Sequence, residues 1–458
     1  MPSRVRLRAR AALFPIFFSA VSAHATNGMN MEAWGARAGG MGGAAFAYDS
    51  GNSAVMNNPA TLGLRPADKS EVGLGLTLLM PTVASSHPLA GRRDSDGSLY
   101  VMPTLSWIKR SGPWAYGAGL LAQGGMGTEY GSGSSLFAFG HASDDSVAPL
   151  SGDEIRSEVG VGRLMFPLAF HASDALTLAG QLDFVWATMD VKMDVDGRTL
   201  GQMMAQTPGV GSATGSLLGS LPPGVLNYGR FDFSDDKAFS GAAKGTGWAG
   251  KLGIHYKVSE TLAVGATWHS KTAIDDLESK HATLKMDIAG AGTMAMNGKI
   301  KVVDFQWPET YGFGVAWQAT PKLLLAGDVK RIRWTDAMKS FNLKFEADSG
   351  GDMTAVMEQN WRDQTVYAFG GEYLVTPNLV LRAGFNYGRN PVPDATLNPL
   401  FPATVTRHIT LGFGWRMNKD ETLAASLAVA PRVANTNPGD VTSTHRQATL
   451  RVNYNYPY

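Results

Sequence analysis

The 458-residue chain has no cysteine and only 17% charged residues. It also has no apolar run near the roughly 20 residues that a membrane-spanning helix needs. Each shortage excludes something. Without disulfides, an exported chain must be held by its core, its hydrogen-bond ladders or its solvent. Without a long apolar run it is not a helical membrane protein, yet its charge is sparse and its mean hydropathy is near zero. Those facts suit a transmembrane barrel, in which every second residue of a strand is polar. G-x-S-x-G and H-E-x-x-H are missing, and the nine histidines are scattered without metal-ligand spacing, so no enzyme, cofactor or metal site is expected.

The first residues are of another kind. Arg4, Arg6, Arg8 and Arg10 precede a short apolar run from Ala11 to Ala23, and Ala23-His24-Ala25 has the small-x-small form of a cleavage site. Residues 1–25 are therefore expected to be a secretory signal peptide, with the mature chain starting at Thr26. Removing four arginines leaves 36 basic against 39 acidic residues, a net charge of −3. Nothing in that balance suggests a nucleic-acid partner.

Period-two alternation then dominates. At the far end Ala448, Leu450, Val452, Tyr454, Tyr456 and Tyr458 share one face, while Gln447, Thr449, Arg451, Asn453 and Asn455 share the other. This pattern fits a closing barrel strand with lipid outside, a polar lumen inside and aromatics at the interface. Alternation predicts fourteen strands, near 70–82, 98–109, 113–126, 154–171, 175–193, 246–258, 260–270, 309–318, 322–345, 364–375, 378–389, 405–417, 420–432 and 446–458. The expected fold is all-β: a 14-stranded antiparallel transmembrane β-barrel over 70–458, with residues 26–69 as an N-terminal hatch inside the lumen. Tight turns at Ser111-Gly112, Ser173-Asp174, Ala319-Thr320-Pro321, Thr376-Pro377 and Asn418-Lys419 alternate with long connections such as 194–245 and 271–308. Short turns at one end and long loops at the other are the outer-membrane asymmetry.

The chain resembles the FadL-type family of outer-membrane transporters for long-chain fatty acids and other hydrophobic compounds. The resemblance is carried by Asn27-Gly28-Met29, Gly39-Gly40-Met41-Gly42-Gly43-Ala44, Asn57-Asn58-Pro59-Ala60-Thr61-Leu62, Leu343-Lys344-Phe345, Trp361-Arg362-Asp363, Asn390-Pro391-Val392-Pro393-Asp394 and Arg407-His408-Ile409-Thr410-Leu411-Gly412. It implies a monomeric barrel that captures an apolar ligand between its extracellular loops. The ligand passes to a pocket in the barrel and leaves sideways beside a kinked third strand, with no energy source.

Several residues stand out against blander readings. Asn57, Asn58, Pro59 and Ala60 form either a simple turn or the hatch that family position implies. Gly124 and Gly125, where the third strand loses its alternation, mark either an ordinary bulge or the lateral gate. Met203, Met204, Leu217, Leu218, Met294 and Met296 form either a small loop core or a first capture surface, to which methionine is suited. Arg163 and Lys344 are candidate lumen cations that would pair with a fatty carboxylate, or plain lumen-lining charges. The acidic pairs Asp144-Asp145, Asp235-Asp236 and Asp275-Asp276 read as solvated loops, with divalent-ion or lipopolysaccharide contact as the alternative. Expected partners are fatty acids or hydrophobic small molecules, outer-membrane lipid and lipopolysaccharide, and the barrel-assembly machinery during biogenesis. The rival classes are a barrel enzyme acting on lipids and a surface adhesin or receptor.

Overall fold

The computed structural model describes residues 27–139, 147–219, 221–222, 224–237, 240–417 and 421–458. The expected leader, Asp144-Asp145, Pro223 and the Asn418-Lys419 turn lie outside these residues. Among the described residues no helix is long and apolar enough to cross a membrane.

Sixteen strands form the wall. They are β1 Ser70–His87, β2 Tyr100–Ser111, β3 Trp114–Gly131, β4 Ile155–His171, β5 Leu176–Asp196 and β6 Leu226–Phe233. Next come β7 Ala243–Lys257, β8 Leu262–His269, β9 Leu277–Ile288, β10 Thr310–Thr320 and β11 Leu323–Ile332. The last are β12 Gln364–Thr376, β13 Leu379–Gly388, β14 Arg407–Arg416, β15 Thr422–Thr436 and β16 Thr442–Pro457. Antiparallel pairing closes the ring where β16 meets β1, from Glu71↔Pro457 to Ser86↔Thr442. A closed ring has no free edge strand, so each wall strand is paired on both sides over at least part of its length.

The fourteen-strand expectation is corrected here. The closed circuit counts sixteen because β6 and β9 enter it between β5 and β7: β5 pairs with β6, β6 with β9, and β9 touches β7 at Glu278↔Lys244. Lower down, β5 and β7 pair directly over Leu176–Met189, so the two added strands extend the wall only toward its loop end. Six further strands lie outside the circuit: Gly91–Asp94, Gly211–Thr214, Ala273–Ile274, Gly292–Val303, Ser340–Ala347 and Asp352–Glu358. Among the described residues, the segments 194–245 and 271–308 thus contain strands, and the first also contains the helix Gly197–Met204. The single strand expected over 322–345 is two, interrupted by a turn at Trp334–Asp336.

Alternation sets the two faces of the wall. On β7, Trp248, Leu252, Ile254 and Tyr256 are exposed on the outside, while Lys251 and His255 are buried within. On β16, Gln447, Thr449 and Arg451 are buried, and Val452 and Tyr456 are exposed. An outward apolar row with an inward polar row suits a wall with lipid on one side. The lumen is filled by residues 27–65, which fold as a short helix, Ala36–Gly40, and two 3-10 helices, Gly51–Val55 and Pro59–Leu64.

Candidate functional site

The N-terminal segment is tied to the wall from several directions. Asn58 caps the second 3-10 helix, accepting from the Ala60 amide at 3.1 Å. Its Nδ2 donates to the Phe46 carbonyl at 2.7 Å and to that of Ile254 in β7 at 3.0 Å. Asn57 Nδ2 donates to the Trp34 carbonyl and the Ser50 hydroxyl, both at 3.1 Å. Pro59 sits at the start of the helix, where its missing N–H loses nothing. Turn and wall anchor are therefore one motif. Opposite, one carboxylate oxygen of Asp328 in β11 accepts from the amides of Ala45 at 2.6 Å and Phe46 at 3.1 Å. Arg37 donates to both oxygens of Glu372, at 2.8 and 2.9 Å, and Arg382 donates to the same group at 2.6 Å.

Glu32 is fully buried between Arg451 at 2.7 Å and His408 at 3.4 Å. Burial alone would raise its pKa. The Arg451 guanidinium and His408 overcome that and hold the carboxyl at about 2.

The second feature is a break in the wall. The β2–β3 ladder runs only from Ser111↔Trp114 to Leu105↔Leu120. Above that pair β2 stays bonded to β1 as far as Tyr100, and β3 stays bonded to β4 as far as Gly131. The connection that leads into β2 reaches β3 again where the Asp96 amide donates to the Glu129 carbonyl at 2.9 Å. Floor and roof frame a window, and a cavity of about 260 Å³ fills it. Val101, Leu120 and Trp186 line it on the wall's outer side, and Leu79, His445 and Gln447 on the lumen side. Glu158 is the one Asp, Glu, Lys or Arg among the described residues lining it.

Gly124 and Gly125 lie on the window's edge. Pairing jumps from Ala122↔Gly162 to Gly124↔Val161, leaving Gln123 as the extra residue of a bulge. A Cβ on Gly124 would run into the Met29 carbonyl, so glycine is required for this close approach. Met29 and Asn30 follow the window's edge, and the Trp307 indole donates to Asn30 Oδ1 at 2.7 Å. Trp307, Trp334 and Trp361 form a buried edge-to-face stack with ring centroids 5.9 and 5.1 Å apart. Gln123 carries a signal that sequence reading passed over: a polar residue between Ala122 and a glycine pair, in an otherwise apolar stretch.

The two cation candidates part company. Arg163 faces the lumen side and is completely buried; it donates to Asp183 at 2.7 Å and to Gln123 at 2.5 Å. Lys344 is not in the lumen. It lies on the outer strand Ser340–Ala347, is 44% exposed and pairs with Glu346 at 2.7 Å. The six loop residues also divide. Met203 and Leu218 are buried in one large apolar cluster with Met286 and Phe345, and Met204, Leu217 and Met296 pack against it. Met294 is exposed. A cavity of about 100 Å³ opens beside Met203. Of the acidic pairs, Asp236 holds Lys192 of β5 at 2.5 Å and Asp276 accepts from the Asp304 amide at 3.0 Å.

This arrangement has solved counterparts. The fold superposes on the toluene transporter TodX of Pseudomonas putida with a TM-score of 0.81 at 28% identity, covering 93% of this chain and 99% of that one. Among curated sequences, the chain is 40% identical over 109 residues to an uncharacterised protein of Chlorobium limicola, covering 24% of this chain and 53% of that protein. It is 29% identical over 150 residues to a putative outer membrane protein of Neisseria meningitidis serogroup B, covering 32% of this chain and 31% of that protein. The chain thus spans about half or less of the length of these two curated relatives. The sequence model of the outer membrane protein transport protein family (OMPP1/FadL/TodX) matches residues 17–455, and the chain belongs to that family.

Proposed function

We propose that the protein is a passive outer-membrane channel for hydrophobic compounds, and that its cargo is a small apolar molecule about the size of one aromatic ring. The observation that carries this reading is the apolar cavity through the wall between β2 and β3. At about 260 Å³ it lies just below the usual range for drug-sized ligands, roughly 300–1,000 Å³, which favours a compact cargo over a long chain. The relative described as a toluene transporter supports the same choice.

In this reading the loop cluster around Met203 and Met294 makes first contact, and residues 27–65 act as the hatch that blocks a straight path to the periplasm. The window beside Gly124 and Gly125 then delivers cargo into the lipid. An apolar molecule leaving water for hydrocarbon moves downhill by about 25 cal/mol for each Å² removed from water, so no energy source is needed. The channel acts as a monomer without a chemical step; lipopolysaccharide around the rim and the assembly machinery are its expected neighbours.

A disulfide across the window tests the route. The chain has no cysteine of its own, so Thr104→Cys with Leu121→Cys places the only pair just above the Leu105↔Leu120 floor. Labelled toluene should enter lipid vesicles holding the reduced protein and stop when the pair is oxidised. Undiminished transfer through the locked window would overturn the lateral route. Faster transfer of oleate than of toluene would overturn the cargo.

A further inference from the structure

Arg163 is built like a ligand-binding residue but is already engaged. Its Nη1 reaches Asp183 at 2.7 Å and its Nε reaches Gln123 Oε1 at 2.5 Å. The other oxygen of Asp183 accepts from Gln181 at 2.6 Å. Arg163 and Asp183 are fully enclosed, and Gln123 is 3% exposed. Nη2 of Arg163 has no partner, but the Asp183 carboxylate already balances the guanidinium charge and leaves little of it for cargo.

The position of Gln123 gives this engagement a purpose. Gln123 is the residue that β4 leaves unpaired, between Ala122↔Gly162 and Gly124↔Val161. Arg163 stands opposite Leu121, two residues back, so the Gln123 side chain reaches back along β4 to be held. Both Gln123 and Gly124 face inward, one toward Arg163 and the other toward Met29. Two successive inward positions are what a bulge creates and a regular strand forbids. Immediately before this point β3 parts from β2, after Leu105↔Leu120.

We infer that Arg163 is a positioning residue: by pinning Gln123 to Asp183 it holds the β3 bulge in place, and the bulge keeps the wall window open. The inference rests on the window being the exit route. Released from the pin, the extra residue can be absorbed by a one-residue slip, which would carry β3 toward β2 and extend their ladder upward. Pro103 in β2 has no N–H to contribute, so the ladder meets resistance there, but the gap narrows.

Spin labels at Val101 on β2 and Met126 on β3 report the width of the window in the full protein in lipid vesicles. The variants are Gln123→Ala, which removes no charge, and Arg163→Met with Asp183→Asn, which removes the ion pair without stranding a buried charge. Gln123→Glu keeps an acceptor for Arg163 and is the rescue. Both disrupting variants should bring the labels closer together as β3 moves toward β2. Both should also slow toluene transfer several-fold while leaving toluene binding unchanged, and the Glu variant should behave as the parent does. An unchanged label distance in properly folded Gln123→Ala and in the double variant overturns the clamp, whatever uptake does. Selective loss of oleate transfer with an unchanged distance also overturns it, because Arg163 would then be a cargo contact. Labels that approach while toluene transfer persists uphold the clamp and sink the lateral exit instead.

Discussion

The carbonyl of Met29 accepts a hydrogen bond from the Gly125 amide at 3.1 Å. The start of the described chain is therefore fastened to the edge of the window rather than lying loose in the lumen. The N-terminal segment and the window share a backbone contact, and a change in one is expected to reach the other.

The smallest test of that coupling is Gly124→Ala. The added methyl would meet the Met29 carbonyl and then the Trp307 ring, and a backbone atom cannot step aside as a side-chain tip can. Expected is displacement of residues 27–31 from the strand with the barrel intact. A label pair at Met29 and Met126 should separate while heat-modifiable migration on gels stays normal. An unmoved pair would mean that β3 yields instead.

Asp328→Ala should loosen the segment from the opposite side. It strands the Ala45 and Phe46 amides, now held at 2.6 and 3.1 Å, and an unsatisfied buried donor costs about 1–3 kcal/mol. Expected is an increased leak of small polar solutes in a liposome-swelling assay, with no loss of folded barrel. Asp328→Asn, which keeps an acceptor oxygen, should leak less than the alanine variant.

Acid should act through Glu32. Its pKa falls from an ordinary 4.5 to about 2 in the fold, so its contribution is fully present above about pH 4.5. It is lost as the pH drops toward 2. The full effect is of order 3 kcal/mol. Solute leak through the parent protein should rise over that interval. Glu32→Gln, which has no charge to lose, should leak at neutral pH and show a flatter profile. Parallel profiles would assign the acid response to other carboxylates.

The loops offer a contrast between one buried and one exposed methionine. Met203 is 1% exposed, whereas Met294 is 42% exposed. Met203→Ser should destabilise the loop cluster by roughly 2–5 kcal/mol and make it open to protease. Met294→Ser should leave the loops resistant and lower uptake only at scarce substrate. Equal protease sensitivity would contradict the packing; unchanged uptake would remove Met294 from the capture surface.

The strands that run between lipid and lumen were legible because two solvents impose opposite rules on successive residues. Trp248, Leu252 and Ile254 against Lys251 and His255 show that rule directly. Above the membrane the rule weakens. Met286 and Ile288 in β9, and Met294 and Met296 in Gly292–Val303, also stand two residues apart, yet they read as loop because apolar residues there meet a loop cluster rather than lipid. Lys344 was misplaced for a related reason. Phe341, Leu343 and Phe345 alternate as β11 does, and the turn at Trp334–Asp336 that separates them leaves little trace in the pattern. The bulge at Gln123 was half visible: Gly124-Gly125 marked the place, but the partner that gives Gln123 its role, Arg163, lies 40 residues away and no local period points to it.

The seam between β1 and β16 also fixes an order in time. It joins Glu71–Ser86 to Thr442–Pro457, strands from opposite ends of the wall, and pairings so distant in sequence form late and slowly. Residues 27–65 run directly into β1 and are held by groups on β7, β11, β12, β13, β14 and β16. Once the seam is zipped the wall is closed, and the lumen can be entered only through its ends. A segment that already lies among the strands when the ring closes is enclosed with them, and a chain whose Asp328 or Arg451 anchor fails is expected to close around a misplaced segment.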